Sequence, residues 1–172
     1  MLDDMKMQQV RYTVFETAWG YAGFASGTNG ITQLHLPAPS RAAAIAEFTG
    51  AVFDAGLMKE LQKMVVQYFQ GKEIDFRDRP PVDCGPMSSF AIAILIECRK
   101  IRHGQIITYG ELAKRAGHPA AARAAGTVLA RNPIPLIVPC HRIIRTDGGL
   151  GGFSGFGGLR MKKRLLGLES RD

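Results

Sequence analysis

The first third of the chain changes from strand-like to helix-like spacing of its apolar residues. Residues 10–14 alternate between apolar and polar side chains, which is the period of a β-strand. Apolar stretches at 21–26 and 31–36 flank Thr28-Asn29-Gly30, and this arrangement predicts a β-hairpin. Helical spacing follows over 41–48 and 57–70, so we expect two helices after the strands.

The second half contains the pattern of a helix-turn-helix. Thr108 and Glu111 have the spacing of a capping box, which predicts a helix from about Tyr109 that Gly117 stops. Pro119 suits the entrance of a second helix, Ala120 to about Ala130, which is rich in alanine. Alanine-rich packing inside a core is the alternative explanation for this second helix.

Two further elements complete the pattern. The apolar run Ile134–Val138 predicts a strand that Pro139 ends. A helix from about Leu159 has Met161, Leu165 and Leu168 on one face, with Glu169 beyond its end. Strands followed by helices predict an α+β fold.

The charge is distributed unevenly along the chain. Residues 1–87 hold 8 Lys and Arg against 10 Asp and Glu, a net charge of −2, whereas residues 88–172 hold 14 against 5, a net charge of +9. A basic half attracts nucleic acid without specifying its sequence, and the alternative explanation is that the basic surface serves only solubility. We expect a domain over 1–76, a linker over 77–87 and a second domain over 88–172.

The composition is that of a cytoplasmic protein. No apolar run of 18 residues is present, and Asp3 and Asp4 precede any apolar stretch, so neither a membrane span nor a signal peptide is expected. Cys84, Cys98 and Cys140 form no C-x-x-C pair, which argues against disulfides and against a cysteine zinc site. We expect no metal and no cofactor.

The segment Pro139-Cys140-His141-Arg142 has the composition of a nucleophile site. A thiol is only a few per cent thiolate at neutral pH, and it needs a base or a positive field, which His141 and Arg142 could provide. The dipeptide is also compatible with a buried structural cysteine, so the surrounding sequence has to decide.

That surrounding sequence resembles one family in register from about Ile106 to Glu169. The segments that carry the resemblance are Ile107-Thr108-Tyr109-Gly110-Glu111-Leu112-Ala113, Ala121-Ala122-Arg123-Ala124, Asn132 to Ile144, Ser154-Gly155, and Leu165-Leu166-Gly167-Leu168-Glu169. They resemble the O6-alkylguanine-DNA alkyltransferases, also called methylated-DNA–protein-cysteine methyltransferases. Upstream, only the order of elements and scattered residues such as Trp19-Gly20 agree.

The resemblance implies a fold and an activity. Its fold is a small ribonuclease-H-like sheet lobe followed by a helical, winged helix-turn-helix-like DNA-binding lobe. Its activity is irreversible, single-turnover transfer of an alkyl group from O6-alkylguanine, and from O4-alkylthymine, to the protein's own cysteine. The partner would be alkylated double-stranded DNA, with the protein acting as a monomer without a cofactor.

The resemblance also implies the catalytic residues. Cys140 would accept the alkyl group, and His141, oriented by Glu169, would activate it through a water molecule. Tyr109 would donate a proton or hydrogen bond toward the guanine and push on the 3′ phosphate. Taken alone, Tyr109 is also compatible with an aromatic residue of the core.

The remaining implied residues bind DNA or the extruded base. Arg123 would enter from the minor groove and occupy the place of the flipped nucleotide, or contact a phosphate, with Thr108, Ala122 and Ala124 beside it. The substrate pocket would comprise Asn132, Val138, Ile143, Phe153, Ser154 and Gly155. In it the Ser154 amide would lie near O6, and the carbonyl groups of Cys140 and Ile143 would read the exocyclic amine.

Two other classes of protein share parts of this pattern. A non-catalytic lesion sensor of the alkyltransferase-like type would have the helix-turn-helix, but such proteins lack a cysteine at position 140. A cysteine hydrolase would use Cys140 and His141 directly. Adjacent residues of an extended strand point to opposite sides, so a water relay fits this pair better than direct contact.

Overall fold

The structure, a computed structural model, describes residues 9–170, so Asp3 and Asp4 lie outside the described residues. The chain divides into two compact units. One contains the residues up to Ile74 together with Asp78–Gly85, and the other contains Asp75–Arg77 and the residues from Pro86 onward. The segment expected to be a linker is therefore shared between the two units.

The first unit is built on a mixed sheet. Its strands are β1 (Arg11–Thr17), β2 (Gly20–Gly27), β3 (Gly30–Ala38) and β4 (Val52–Phe53), in the order β3-β2-β1-β4. The first three strands are antiparallel neighbours, and β4 runs parallel to β1. The hairpin predicted around Thr28-Asn29-Gly30 is confirmed.

Gly30 is required where the hairpin contacts residues 78–85. Its φ is +142°, and a Cβ there would lie 2.4 Å from the Pro81 carbonyl oxygen. The Ile31 amide donates to that oxygen at 2.9 Å, and the Asp83 amide donates back to the Ile31 carbonyl at 2.8 Å. This pairing along β3 is what attaches residues 78–85 to the first unit.

Two helices pack on this sheet. Helix α1 (Arg41–Ile45) is capped by Ser40 and ends three residues earlier than predicted, because the chain turns there and buries Phe48 against Tyr12, with ring centroids 5.2 Å apart. Helix α2 (Lys59–Phe69) follows, and Gly71 ends it with a φ of +86°.

The second unit is mainly helical. Its elements are α3 (Ser89–Arg99), β5 (Ile107–Thr108), α4 (Tyr109–Arg115), α5 (Ala122–Leu129), β6 (Ile143–Ile144) and α6 (Gly158–Glu169). The Arg99 guanidinium donates twice to the Phe76 carbonyl, at 2.8 and 2.9 Å, which fastens Asp75–Arg77 to this unit. No helix in residues 9–170 is long and apolar enough to cross a membrane. The mixed sheet followed by helices confirms the α+β class.

The helix-turn-helix is present, with one boundary shifted. The Thr108 hydroxyl oxygen accepts the Glu111 amide at 3.1 Å and caps α4, while the Glu111 carboxylate pairs with Arg115. The second helix begins at Ala122 rather than Ala120, because Ala121 has a non-helical backbone and Pro119 lies in the turn.

The run Ile134–Val138 is not a strand, so this prediction was wrong. Pro133, Pro135 and Pro139 lack the amide donors that a ladder needs, and Leu136 has a φ of +76°, so the run folds into buried turns. Pro139 has φ −81° and ψ 65°, and the Cys140 amide donates to the Val138 carbonyl at 2.8 Å, which is an inverse γ-turn.

A short 3-10 helix, Cys140–Arg142, follows this turn and leads directly into β6. Strands β5 and β6 pair in parallel, with Ile107 opposite Ile143 and Thr108 opposite Ile144. This two-residue sheet holds the start of α4 beside the segment that carries Cys140.

Candidate active site

A pocket of about 870 Å³ opens on the second unit, and Cys140 is among its lining residues. One wall comes from the helix-turn-helix, through Tyr109, Ala122, Arg123, Gly126 and Thr127. The other wall comes from the turn 145–147 and from Gly152, Phe153 and Ser154. The cysteine and the predicted DNA-binding helix therefore share one cavity.

The Cys140 side chain is buried and its residue is only 7% exposed. Burial raises the pKa of the thiol, while the Asn132 side chain, the positive charge of Lys162 and the amides of Cys140 and His141 act in the opposite direction. Each of the opposing groups stabilises the thiolate. The thiol therefore stays protonated until a base removes its proton. The thiolate that then forms is stabilised by these neighbouring groups.

His141 is completely buried and is fixed by Glu169. Its Nε2 lies 2.7 Å from the Glu169 Oε1. Burial lowers the pKa of His141, so the ring is neutral at neutral pH, and Nε2 carries the proton that it donates to the carboxylate. The Nδ1 atom is buried and accepts no hydrogen bond from the described residues, so it retains its lone pair as a base.

Glu169 is held as a carboxylate by several donors. Besides His141, it accepts Arg142 Nε and Nη2, both at 2.8 Å, and the Gly104 amide at 3.3 Å. Burial raises the pKa of this carboxyl, but the bonds from His141 and Arg142 outweigh it and hold the pKa well below its usual range. Glu169 is the last residue of α6, not a residue beyond the helix as expected.

Arg142 does not supply the positive field predicted for Cys140. Its guanidinium is 5% exposed and binds Glu169 and the Ile101 carbonyl. The positive charge that favours the Cys140 thiolate comes from Lys162 instead, a residue that the sequence reasoning missed. Helical spacing could have revealed it, because Lys162 shares a face of α6 with Leu165 and Glu169.

Asn132 ties the end of α5 to the segment before Cys140. Its Nδ2 donates to the Val138 carbonyl at 2.8 Å, and its Oδ1 accepts the Ile134 amide at 3.0 Å. Both bonds lie within the turn that follows α5, so Asn132 fixes the backbone that leads to Cys140. The Asn132 side chain also acts to lower the pKa of the Cys140 thiol, which favours the thiolate.

Tyr109 is half-buried, and its hydroxyl lies 3.5 Å from the Gly152 carbonyl oxygen. Burial raises the pKa of the phenol, so Tyr109 keeps its proton and can act as a donor. Gly151 has a φ of +71°, and a Cβ at this position would lie 2.6 Å from the Tyr109 hydroxyl oxygen. Only glycine lets the loop pass this close to the ring.

The other predicted residues divide between the pocket and its support. Arg123 and Ala124 are exposed on α5, and Arg123, Ala122, Phe153 and Ser154 line the pocket. Thr108 caps α4 at its base.

Val138 and Ile143, which were expected in the substrate pocket, are buried. The Ile143 carbonyl, expected to read a base, accepts Lys162 Nζ at 2.6 Å. Gly155 accepts the Gly158 amide in the turn before α6.

The turn 145–147 at the pocket mouth was also missed. Arg145 Nη2 and Asp147 Oδ2 lie 3.0 Å apart, and both side chains are exposed. Within residues 9–170 no group of three or more His, Cys, Asp or Glu is arranged to hold a metal ion.

The chain is similar to known proteins of one family. The family model for the DNA-binding domain of 6-O-methylguanine DNA methyltransferase matches residues 89–171. The methylated-DNA–protein-cysteine methyltransferase of Methanothermobacter thermautotrophicus is 40% identical over 112 residues, 65% of this chain and 61% of that protein. The mouse protein of the same name is 31% identical over 175 residues, 94% of this chain and 82% of the mouse protein.

A solved structure resembles most of the chain. The structure of Mycobacterium tuberculosis OGT in complex with DNA has a TM-score of 0.77 and 32% identity over 92% of each chain. The archaeal match, by contrast, spans less than two thirds of that relative's length.

Proposed function

Because the chain belongs to the 6-O-methylguanine DNA methyltransferase family, we propose that it repairs DNA by transferring an alkyl group from O6 of guanine to its own Cys140. The observation that carries this proposal is the shared pocket, in which a buried cysteine with its base lies beside Arg123 of the helix-turn-helix. The named relatives are methylated-DNA–protein-cysteine methyltransferases, and O4-alkylthymine is proposed as a second substrate.

The transfer is an in-line displacement at the alkyl carbon. The Cys140 thiol proton passes to His141 Nδ1, through one water molecule, and Glu169 stabilises the imidazolium that forms. The bond between Cys140 Sγ and the carbon forms as the bond between the carbon and O6 breaks, with its electron pair going to the guanine. Tyr109 donates a hydrogen bond or proton toward the leaving base.

The target nucleotide must leave the duplex to reach the thiol. The Cys140 residue is 7% exposed inside a pocket, whereas a stacked base cannot enter a cavity in a globular protein. Extrusion costs a few kcal/mol, and Arg123 offsets this cost by filling the vacated place from the minor-groove side. The Ser154 amide near O6 and the wall formed by Phe153 then hold the flipped base.

The reaction stops after one turnover. The product at Cys140 is a thioether, which has no good leaving group and no acyl carbon for water to attack. The test is to mix the protein with a tenfold excess of O6-methylguanine duplex and to follow both DNA repair and protein mass. We expect one equivalent of DNA to be repaired and one methyl group on the peptide containing Cys140.

Cys140→Ala provides the control. It should lose transfer while retaining duplex affinity, because the thiol supplies the bond-forming atom and little contact area. Sustained turnover, or methylation of Cys84 or Cys98 instead of Cys140, would overturn the proposal.

A further inference from the structure

Lys162 is a fully buried cation that the proposed chemistry does not use. Its relative exposure is 0%, whereas its helix neighbours Lys163 and Arg164 are exposed. Lysine is almost never fully buried unless its charge is compensated. Its ammonium group donates to three carbonyl groups, those of Ile143 (2.6 Å), Leu150 and Gly152 (3.3 Å), and none of these partners is a carboxylate.

The three carbonyl groups belong to opposite sides of the active site. Ile143 directly follows the 3-10 helix that carries Cys140. Leu150 and Gly152 belong to the glycine-rich loop, residues 148–157, in which Gly152, Phe153 and Ser154 line the pocket. One ammonium group therefore connects the thiol-bearing segment to the wall that would hold the base.

The position of the Tyr109 side chain also depends on Lys162. Lys162 Nζ lies 5.7 Å from the centre of the Tyr109 ring, within the range of a cation–π interaction. The Tyr109 hydroxyl approaches the Gly152 carbonyl, which Lys162 also binds. Releasing the loop would thus change the position of the phenol as well as that of the pocket wall.

The buried charge also acts on the thiol. Burial lowers the pKa of Lys162 itself, and the nearby thiols of Cys140 and Cys98 oppose that change. Other titratable groups around it are Tyr109 and His141, while the charge of Arg142 is compensated by Glu169. Among these groups, Lys162 is the charge that favours the Cys140 thiolate.

We propose that Lys162 is a positioning residue for alkyl transfer: it fixes the glycine-rich loop and Tyr109 around the base, and its charge stabilises the Cys140 thiolate. This inference rests on the proposed function. Lys162 touches neither substrate nor reacting atoms in this role, and it acts through the carbonyl groups and through its field.

The test compares Lys162→Met, which is unbranched and nearly as long but removes the charge, with Lys163→Met on the exposed side of the same helix. Iodoacetamide labelling of the Cys140 peptide is followed against pH by mass spectrometry, which separates it from Cys84 and Cys98. For Lys162→Met we expect the labelling midpoint to rise by about one pH unit. Lys163→Met should match the wild type.

Transfer rates supply the second readout. With O6-methylguanine duplex and with free O6-benzylguanine at pH 7, Lys162→Met should be slower by about tenfold or more, since one pH unit means about tenfold less thiolate. Raising the pH should recover only that part of the rate loss which is caused by the smaller thiolate fraction. Lys162→Arg retains the charge, so its labelling midpoint should stay near the wild-type value while its transfer remains slow.

Thermal unfolding establishes that each variant is folded. A folded Lys162→Met protein with wild-type midpoint and rates would overturn the inference, and so would a Lys162→Arg midpoint displaced as far as that of Lys162→Met. If Lys162→Met does not fold, Lys162→Gln takes its place as the uncharged variant, and its midpoint compared with that of Lys162→Arg decides the charge effect. Absence of transfer by the wild type would refute the proposed function instead, and the labelling profiles would still test Lys162.

Discussion

Glu169 is 2% exposed and accepts hydrogen bonds from His141, Arg142 and Gly104. It compensates the buried charge of Arg142 and fixes the tautomer of His141 at the same time. At the residue scale, the tautomer of His141 and the compensation of the Arg142 charge thus depend on one carboxylate. Removing that carboxylate should affect both stability and catalysis.

Glu169→Gln should destabilise the protein by about 3–5 kcal/mol at pH 7, because it leaves Arg142 buried without its counterion. Urea unfolding measures this difference. Glu111→Gln is the matched control, since Glu111 also pairs with an arginine but is exposed, and its urea midpoint should stay close to that of the wild type.

The same prediction has a defined pH dependence. The pKa of Glu169 is depressed in the folded state, so its contribution is fully present above its ordinary value of 4.5 and is lost as the pH falls toward the folded value. The stability gap between wild type and Glu169→Gln should therefore shrink below about pH 4.5. A gap that is unchanged at acid pH would show that the charge is not its source.

At the element scale, the site is a junction between the helix-turn-helix and the glycine-rich loop. Helix α5 contributes an exposed arginine and small side chains to one wall, and the loop contributes backbone groups to the other. Tyr109, at the start of α4, lies between them. Changes in either element should therefore affect transfer without removing the nucleophile.

Gly151→Ala should lower the transfer rate by about tenfold or more, because its Cβ would lie 2.6 Å from the Tyr109 hydroxyl oxygen and displace the ring. Gly148→Ala is the control, since Gly148 also has a positive φ, of +81°, but its Cβ would contact nothing within 4 Å. Single-turnover kinetics compare the two variants. Equal losses would mean that backbone strain, not the contact with Tyr109, is responsible.

Arg123→Ala should slow transfer from methylated duplex much more than transfer from free O6-benzylguanine, because only the duplex requires extrusion of a nucleotide. Arg131→Ala removes an exposed arginine outside the pocket wall and should affect both substrates little. The readout is the ratio of the two rates for each variant. Equal losses on both substrates would exclude a role for Arg123 in holding the flipped state.

At the scale of the whole molecule, charge and fold divide at about the same place. The half that carries the helix-turn-helix has a net charge of +9, and the preceding half has a net charge of −2. We expect the basic unit to bind DNA mainly through phosphates, because the alanine-rich helix α5 offers few groups that could read base edges. Sequence-tolerant, salt-dependent binding is the expected consequence.

Duplex affinity should fall by about tenfold or more between roughly 50 and 200 mM salt, because two or more counterions are released on binding. Fluorescence anisotropy with duplexes of unrelated sequence measures this slope. Lys114→Gln, exposed on α4, should reduce the slope, whereas Lys63→Gln, exposed on α2 of the first unit, should not. A duplex affinity that does not change with salt concentration would contradict electrostatic binding.

Much of the fold could be predicted because it depends on local chemistry. Thr108 caps α4, Gly117 and Gly71 end their helices, and the turn before Gly30 closes the hairpin, each through a property of that residue type. Boundaries were less accurate where packing decides. Helix α1 ends early because Phe48 is buried under the sheet.

By itself, the sequence determined the order of the elements, the charge asymmetry and the candidacy of Cys140 and His141, since these follow from spacing and from residue chemistry, whereas Glu169 was named only through the resemblance to the family. Only the tertiary structure decided which charges face which groups. It directs Arg142 to Glu169, buries Lys162 behind the glycine-rich loop and folds the proline-rich run into turns instead of a strand. The physical reason is that burial and the compensation of each buried charge depend on residues distant in sequence. A local sequence pattern therefore cannot predict them.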